Sequence, residues 1–377
     1  MRSPRLLVVA GETSGDMHGA RLFSELRRRR PEIEGFGLGG SELEAAGLDL
    51  LARSSEIAVV GLLEALTVLP RAHRIFHRIL SEVERRPPDA AVLIDSPDFN
   101  LRLARRLAER DVPVVYYVSP QVWAWRSGRV ETIRRSVDRM LVLFAFERDW
   151  YAERGVEAKH VGHPLLDEVP RLPQAWEAEA EAPETYRLAL LPGSRRSEIE
   201  AHLPLMLAAA EELGRRFPVE LRLIQAPDLP AALLDAAIEG CGLPIRLVRS
   251  ERWREIADSH LALCASGTAT LEVGLLRTPL VVVYRMNRWS HWLGRMVIRV
   301  PHISMVNLVL GGEVVPELVQ RRATPESLAE AAGRLLTDAA ARGEMQEALR
   351  GLREALGEPG GSARAAREVL DLLEDAA

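Results

Sequence analysis

Several short stretches of the chain place glycine, hydroxyl, carboxylate and arginine side chains directly after an apolar run, where a parallel sheet offers ligands its strand ends. The first, Gly11-Glu12-Thr13-Ser14-Gly15-Asp16, follows the run 6–10. Its glycines let a ligand approach the backbone; equally, it reads as a tight turn with Asp16 capping a helix. It is not the dinucleotide fingerprint G-x-G-x-x-G, so NAD is not implied. The second, Asp95-Ser96-Pro97-Asp98-Phe99-Asn100, follows the run 90–94. A carboxylate beyond a strand end is placed for general-base work, and two acids three residues apart can push each other's pKa values apart. The plain alternative has Asp98 capping the next helix and Asp95 taking backbone amides; we assign the cap to Asp98 and the chemistry to Asp95. Past the run 114–118, Trp123-Ala124-Trp125-Arg126 could form a sugar platform or an acyl-chain wall, with core packing accounting for at least one tryptophan.

The second half repeats the pattern. Gly193-Ser194-Arg195-Arg196 sits between an apolar run and a helical stretch. Lys159 is the single lysine, which excludes a Gly-Lys-Ser/Thr phosphate loop and leaves anions to arginine and helix N-termini. Arg195 is then the natural partner of a diphosphate, since an arginine at a helix start opposes the helix dipole. Ser266-Gly267-Thr268 opens a further helix whose first amides can take a phosphate, and Glu272, one turn inside, can accept two ribose hydroxyls. A capped helix with an incidental glutamate is the alternative. Met305-Val306-Asn307-Leu308, followed by Glu313, Glu317 and Gln320, is unremarkable by itself. No D-x-D pair or zinc-spaced His/Cys cluster occurs, so the expected chemistry is metal-independent and without a cofactor.

The elements that position these groups alternate. Continuous apolar strands at 6–10, 90–94, 114–118 and 141–144 lead to helices at 19–30, 100–110 and 148–154. Such strands indicate parallel sheets covered on both faces. A stretch with four prolines over 164–185 reads as a linker. Strands at 188–191, 220–224, 245–248, 261–265 and 280–284 then alternate with helices at 197–216, 231–239 and 268–276. The expected fold is α/β of GT-B type, two Rossmann-like domains with parallel sheets facing a central cleft. The first spans 1–163 and the second 186–345, with a helical tail over 346–377.

The chain has 377 residues and a formal net charge of −5, which does not suit a nucleic-acid binder. Residues 1–163 carry 25 Lys+Arg against 23 Asp+Glu, and the remainder 24 against 31, so the first half is the better candidate to meet anionic lipid. Cys241 and Cys264, in no metal or redox spacing, fit a reduced, cytoplasmic setting. The apolar N-terminal run is too short for a signal segment, and no run approaches the roughly 18 residues of a spanning helix. Leu62, Leu63, Leu66 and Leu69 lead an apolar helical stripe flanked by Arg71, His73, Arg74, His77 and Arg78, which Pro70 should kink or divide. That stripe fits an interfacial helix, and it equally fits a helix covering a sheet. Residues 289–300 are a second candidate for the membrane.

In order along the chain, Gly11–Asp16, Glu64, Asp95–Asn100, Tyr117–Arg126, Gly162-His163-Pro164, Leu190–Arg195, Ser266–Glu272, Tyr284-Arg285-Met286 and Asn307-Leu308 resemble the lipid-A-disaccharide synthase family. The resemblance implies an inverting transfer of 2,3-diacylglucosamine from UDP-2,3-diacylglucosamine to 2,3-diacylglucosamine 1-phosphate, giving a β-1,6 disaccharide 1-phosphate and UDP. It also implies a peripheral enzyme on the cytoplasmic face of the inner membrane, with a homodimer left open. By the same resemblance Asp95 removes the proton of the acceptor 6-hydroxyl, Arg195 meets the diphosphate, Ser266, Gly267 and Thr268 supply backbone donors, and Glu272 holds the ribose. Glu12 and Asn307 match further residues that matter for activity, and Gly11, Ser14, Gly15 and Asp16 form a glycine loop on the acceptor side. His18 and His73 depart from the family's apolar preference. The competing expectations are another UDP-sugar enzyme, either a lipid glycosyltransferase or a UDP-N-acetylglucosamine 2-epimerase, and a nucleotide-sugar-binding membrane adaptor without turnover.

Overall fold

The structure is a computed structural model and describes residues 3–57, 62–124, 126–178, 183–226, 229, 231–238, 241–285 and 301–375. Its contacts divide the chain into two compact units, residues 1–167 with 356–377 and residues 168–355. The C-terminal segment beyond residue 355 therefore belongs to the first unit.

Unit 1 is a seven-stranded parallel sheet. Its strands are β1 (Arg5–Ala10), β2 (Glu34–Gly39), β3 (Asp49–Arg53), β4 (Ala90–Ile94), β5 (Val114–Tyr117), β6 (Arg139–Val142) and β7 (Ala158–His160), in the order β3-β2-β1-β4-β5-β6-β7. All five side chains of β4 are buried, as a strand covered on both faces requires. The order reverses between β1 and β4, paired from Leu6↔Ala90 to Ala10↔Ile94, and it is at such a switch point that loops diverge to leave a ligand crevice. Covering helices are α1 (Thr13–Arg29), α2 (Ser41–Ala45), α3 (Leu62–Arg85), α4 (Pro97–Ala108), α5 (Val130–Ser136), α6 (Ala145–Ala152) and α7 (Leu165–Glu168). The expected division of α3 at Pro70 does not occur; the helix runs through it. In the second half of α3, Ile75, Ile79, Leu80 and Val83 are buried in the core beside Leu7, Leu93 and Leu103. That half covers the sheet, while Leu69 stands 58% exposed.

Unit 2 carries α8 (Ala175–Ala178) and a six-stranded parallel sheet: β8 (Tyr186–Leu191), β9 (Val219–Ile224), β10 (Ile245–Val248), β11 (Leu261–Ala265), β12 (Leu280–Tyr284) and β13 (Glu317–Val319), in the order β10-β9-β8-β11-β12-β13. Its switch point lies between β8 and β11. Around it stand α9 (Arg196–Gly214), α10 (Ala231–Ile238), α11 (Arg252–Ala257), α12 (Thr268–Leu275), α13 (Met305–Leu310), α14 (Pro325–Thr337) and α15 (Ala339–Ala355). The last helix, α16 (Gly361–Asp375), packs on α1 within unit 1, where Lys159 donates to Glu368 at 2.6 Å. Among the described residues, no helix is long and apolar enough to cross a membrane.

Strand β2 reads poorly as a strand because it is Glu-Gly-Phe-Gly-Leu-Gly, yet those glycines are what let it pair closely with β1. A Cβ placed on Gly37 would lie 1.9 Å from the carbonyl oxygen of Val8. Gly37→Ala should therefore destabilise unit 1 by about 2 kcal/mol or more, read as a lowered midpoint in denaturant unfolding. A variant as stable as the parent would show that β1 and β2 can separate at no cost.

Candidate active site

The switch point of unit 1 brings Gly11 and Glu12, past β1, beside Asp95 and Ser96, past β4. A Cβ on Gly11 would lie 2.5 Å from the Ser96 hydroxyl, so the first loop needs glycine because the second crowds it. Asp95 and Ser96 both have positive φ (+47° and +44°), and so does Val118 past β5 (+61°). Non-glycine residues rarely occupy this region, a β-branched one least of all, and each costs about 1–3 kcal/mol. Three on two adjacent strand ends mark strain that the surroundings must overcome. They do so at the Asp95 carbonyl, which accepts the Tyr116 hydroxyl at 2.5 Å and the Asn100 amide at 2.9 Å. Asn100 Nδ2 also reaches the Ile94 carbonyl at 3.0 Å. Burial, then the charge of Asp95, raises the Tyr116 phenol above its ordinary range, so its hydroxyl stays protonated and able to donate.

Asp98 and Asp16 both depart from the capping roles expected of them. Asp98 does not cap α4: the capping position is Ser96, without a side-chain bond, and Asp98 instead pairs with Arg126 and Arg129. Asp16 does not cap its own helix, which begins after Glu12. It is buried and accepts the amides of Gly40 (2.6 Å), Glu42 (3.0 Å) and Leu43 (3.2 Å), capping α2 and fixing the first loop to β2. Ser14 is exposed and Gly15 buried. Leu62, Leu63, Leu66 and Glu64 lie on a helix whose side chains are not described there, and Trp125 and residues 289–300 lie outside the described residues.

The loop after β5 is anchored by a residue the sequence did not single out. Glu147, buried in α6, accepts Trp123 Nε1 at 2.9 Å and the Phe144 amide at 3.2 Å. The Trp123 ring stands edge-on to Phe146. Nearby, Ser119 and Tyr151 share a hydroxyl bond at 2.9 Å. Burial pushes the Glu147 carboxyl up to about 7, against the hydrogen bonds of Trp123 and Phe144. His18 and His163 meet edge-on, and burial drives them down to about 4 and about 3, so both are neutral imidazoles at neutral pH.

At the switch point of unit 2, Arg195 is the N-cap of α9, and Glu198 accepts the amides of Ser194 (2.9 Å) and Arg195 (3.2 Å). The Arg195 guanidinium is 57% exposed and 3.8 Å from Glu198. Buried His202 was missed by the sequence reading, because a histidine inside an amphipathic helix carries no local signal. One ring nitrogen lies 3.0 Å from the Pro192 carbonyl and the other accepts the Arg285 amide at 3.0 Å. This ties the ends of β8 and β12 together on either side of β11. Between them the Ser266 hydroxyl donates to the Ile303 carbonyl at 3.0 Å and its amide to the Val283 carbonyl at 3.2 Å, which removes Ser266 from the expected backbone donors; Gly267 is the N-cap of α12, whose first turn presents its amides outward.

Glu272, in α12, is largely buried. It accepts Trp253 Nε1 at 2.7 Å, and Arg252 lies 3.2 Å from the same oxygen. Burial raises its carboxyl above the ordinary value, with Arg252 and Trp253 opposing. Asn307 is wholly buried and its side chain is filled from within: it donates to Val315 (2.9 Å) and Glu317 (2.8 Å) and accepts from Val314 (2.8 Å) and Val315 (2.9 Å). Glu317 in turn accepts the Ile303 and Ser304 amides, both at 2.9 Å. Asn307 therefore supports the segment from 303 to 317 from inside.

The chain is similar to proteins of known kind over almost its whole length. The sequence pattern of the family described as lipid-A-disaccharide synthetase matches residues 6–367. The lipid-A-disaccharide synthase of Myxococcus xanthus is 45% identical over 375 residues, covering 98% of each chain. That of Syntrophus aciditrophicus is 42% identical over 386 residues, covering 99% of each. Among solved structures, the calicheamicin glycosyltransferase CalG4 superposes with a TM-score of 0.61 at 21% identity, covering 99% of each chain. A UDP-N-acetylglucosamine 2-epimerase does so at 0.58 and 14%, covering 98% of this chain and 95% of its own. These two show the fold, two Rossmann-like units as in GT-B glycosyltransferases, and show equally that the fold is shared by different chemistries.

The Glu147 carboxyl sets a pH dependence of stability. Its folded pKa (about 7) is above its ordinary 4.5, so between these values the folded state holds a proton that the unfolded state releases, and stability falls as pH rises through that window. Thermal melts of the parent and of Glu147→Gln should converge below about pH 4.5, with the parent losing stability relative to the variant up to about pH 7. Parallel curves would show that the carboxyl does not titrate there.

Proposed function

The chain belongs to the lipid-A-disaccharide synthase family, and on that premise we propose how its residues share the work. It is a glycosyltransferase of lipid A biosynthesis, with a UDP-sugar donor and a sugar-phosphate acceptor. The family match decides against the 2-epimerase alternative, which fold alone left open. The donor in this reading is UDP-2,3-diacylglucosamine and the acceptor 2,3-diacylglucosamine 1-phosphate.

The observation that carries the mechanism is the clamped, left-handed Asp95 at the switch point of unit 1. Asp95 takes the proton of the acceptor 6-hydroxyl as that oxygen attacks the anomeric carbon from the face opposite the leaving UDP. One bond forms as the other breaks, and the anomeric configuration inverts. A base must meet its proton within hydrogen-bond reach, and a misplacement of about 1 Å can cost a hundredfold in rate. The backbone strain at Asp95, held by Tyr116 and Asn100, supports an aim of that accuracy. Glu12 caps α1 beside it through its backbone, the Glu12 carbonyl accepting the Asp16 amide at 2.9 Å, and so fixes the glycine loop on the acceptor side.

The UDP leaving group is served by unit 2. Arg195 offers a guanidinium fork to the diphosphate, and the amides of Gly267 and Thr268 offer donors at the N-terminus of α12, while the Ser266 amide is held by the Val283 carbonyl at 3.2 Å. Glu272 presents its carboxylate to the ribose, with Trp253 and Arg252 fixing its other side. Asn307 acts through the segment it supports. With one lysine and no D-x-D pair in the chain, arginine and backbone dipoles carry the charge of the departing diphosphate, without a metal.

Both substrates carry acyl chains and reside in a bilayer, so we place the enzyme on the cytoplasmic face of the inner membrane. The exposed Leu69 on α3, with exposed Arg71, Arg74 and Arg78 after it, supports Leu62, Leu63, Leu66 and Leu69 as the contact. A homodimer is compatible with this arrangement.

The deciding assay is release of UDP from UDP-2,3-diacylglucosamine with and without the monosaccharide 1-phosphate, in EDTA. Acceptor-dependent release that persists in EDTA and falls by about 10³ or more in Asp95→Asn is expected. Abolition by EDTA would refute the metal-free mechanism, and full activity of Asp95→Asn would remove the base. For the membrane, Leu63→Ser with Leu66→Ser should cut liposome association while the melting temperature holds. Loss of the fold instead would make that stretch core.

A further inference from the structure

The mechanism above leaves Arg126 and Arg129 unused, and their placement is unusual. Both guanidiniums reach Oδ1 of Asp98, Arg126 at 3.0 Å. The pair is far from buried: Asp98 is 66% exposed and Arg126 48%. Exposed ion pairs contribute about 0–1 kcal/mol. Arg126 nevertheless holds a left-handed backbone, φ +56° and ψ +43°, which costs about as much as such a pair returns. Strained residues of this kind cluster at ligand clamps, where they fix the direction of a side chain.

Tyr116 locates the pair. Its hydroxyl bonds the Asp95 carbonyl, and the charges of Asp95, Arg129 and Asp98 all act on its buried phenol. Both guanidiniums bond Asp98, in the first turn of α4 three residues past Asp95, so they lie in the same corner as the base, where the loops from β4 and β5 meet. The loop that carries them is anchored on its other side by Trp123 and Glu147.

The acceptor has two poles. Its reacting hydroxyl is on C6, and its phosphate is on C1 across the same sugar ring. An enzyme that orients it needs a base for one pole and cations about a ring's width away for the other. Two guanidinium forks meeting at one point suit a phosphate, whose oxygens accept paired N–H donors.

We infer that Arg126 and Arg129 seat the phosphate of the acceptor, with Asp98 holding the two guanidiniums together until the phosphate takes its place. The inference rests on Asp95 as the base at the neighbouring pole. In the seat no bond is made or broken; a carboxylate is exchanged for a phosphate, and the sugar is turned so that its 6-hydroxyl meets Asp95.

The test compares 2,3-diacylglucosamine 1-phosphate with the same sugar lacking the phosphate, in neutral detergent micelles free of anionic lipid. KM is measured for each acceptor (or Ki where turnover is slow) and for the donor. Arg126→Asn removes the cation with a residue that tolerates the left-handed backbone, and Arg129→Ala provides a second variant should either fail to fold. Each should raise the constant for the phosphorylated acceptor about tenfold to a hundredfold, the cost of a lost charged hydrogen bond. The constants for the unphosphorylated acceptor and the donor should stay where they are. Asp98→Asn removes the carboxylate that the phosphate must displace, so it should lower the constant for the phosphorylated acceptor. Equal effects on both acceptors, a matching rise in the donor constant, or Asp98→Asn as harmful as Arg129→Ala would each overturn the seat. Failure of the base reading looks different: Asp95→Asn would stay active with both acceptors.

Discussion

The carbonyl oxygen of Asp95 receives two hydrogen bonds from side chains, Tyr116 at 2.5 Å and Asn100 at 2.9 Å, while the residue's own φ is +47°. The other features of unit 1 are arranged around that oxygen. A left-handed aspartate next to a left-handed serine would relax if nothing held it. Tyr116 can hold it because burial keeps the phenol protonated, and Asn100 because it closes the first turn of α4, which begins at Pro97. Gly11 must be glycine because the turn so held brings Ser96 against it. Strand, turn and helix thus converge on the direction in which one carboxylate leaves the sheet.

Unit 2 solves a similar problem by different means. Among the described residues its strand ends carry no comparable run of strained residues; they are tied to one another by polar side chains. His202 joins the ends of β8 and β12, Glu198 gathers the Ser194 and Arg195 amides, and Glu317 with Asn307 organises the segment from Ile303 to Val315. Of these, His202, Asn307 and Glu317 are buried polar side chains bonded mainly to backbone, the condition under which such groups add rigidity instead of cost. The division suits the chemistry proposed for each unit: a base aimed at one proton in the first, and a set of donors shaped to a nucleotide diphosphate in the second.

Much of this could be read from the sequence. The parallel strands were legible because burial on both faces makes them continuous apolar runs, and the candidate residues because they follow those runs. β2 and β3 were hidden by glycines and charges, as in Glu34–Gly39, where close pairing with β1 outweighs strand propensity. Pro70 did not divide α3, because a proline there is tolerated once the helix packs on the core from Ile75 onward. Asn307 was unremarkable by its local sequence, since the partners that fill its side chain lie seven to ten residues later. Asp98 was read as a cap from its position in the first turn; the arginines that claim it come from 28 and 31 residues away. Local pattern shows where polar groups are, and only the fold shows which of them meet.

In this mechanism the clamp on Asp95 sets the aim of the base. Tyr116→Phe tests it most directly, since it removes one hydroxyl from the clamp and leaves the carboxylate, both substrates and the apolar core in place. Steady-state kinetics should show kcat reduced about tenfold or more, with KM for donor and acceptor unchanged and the fold intact by thermal melt. An unchanged kcat in a folded Tyr116→Phe enzyme would contradict the account, because Asp95 would then keep its aim without the bond said to hold it.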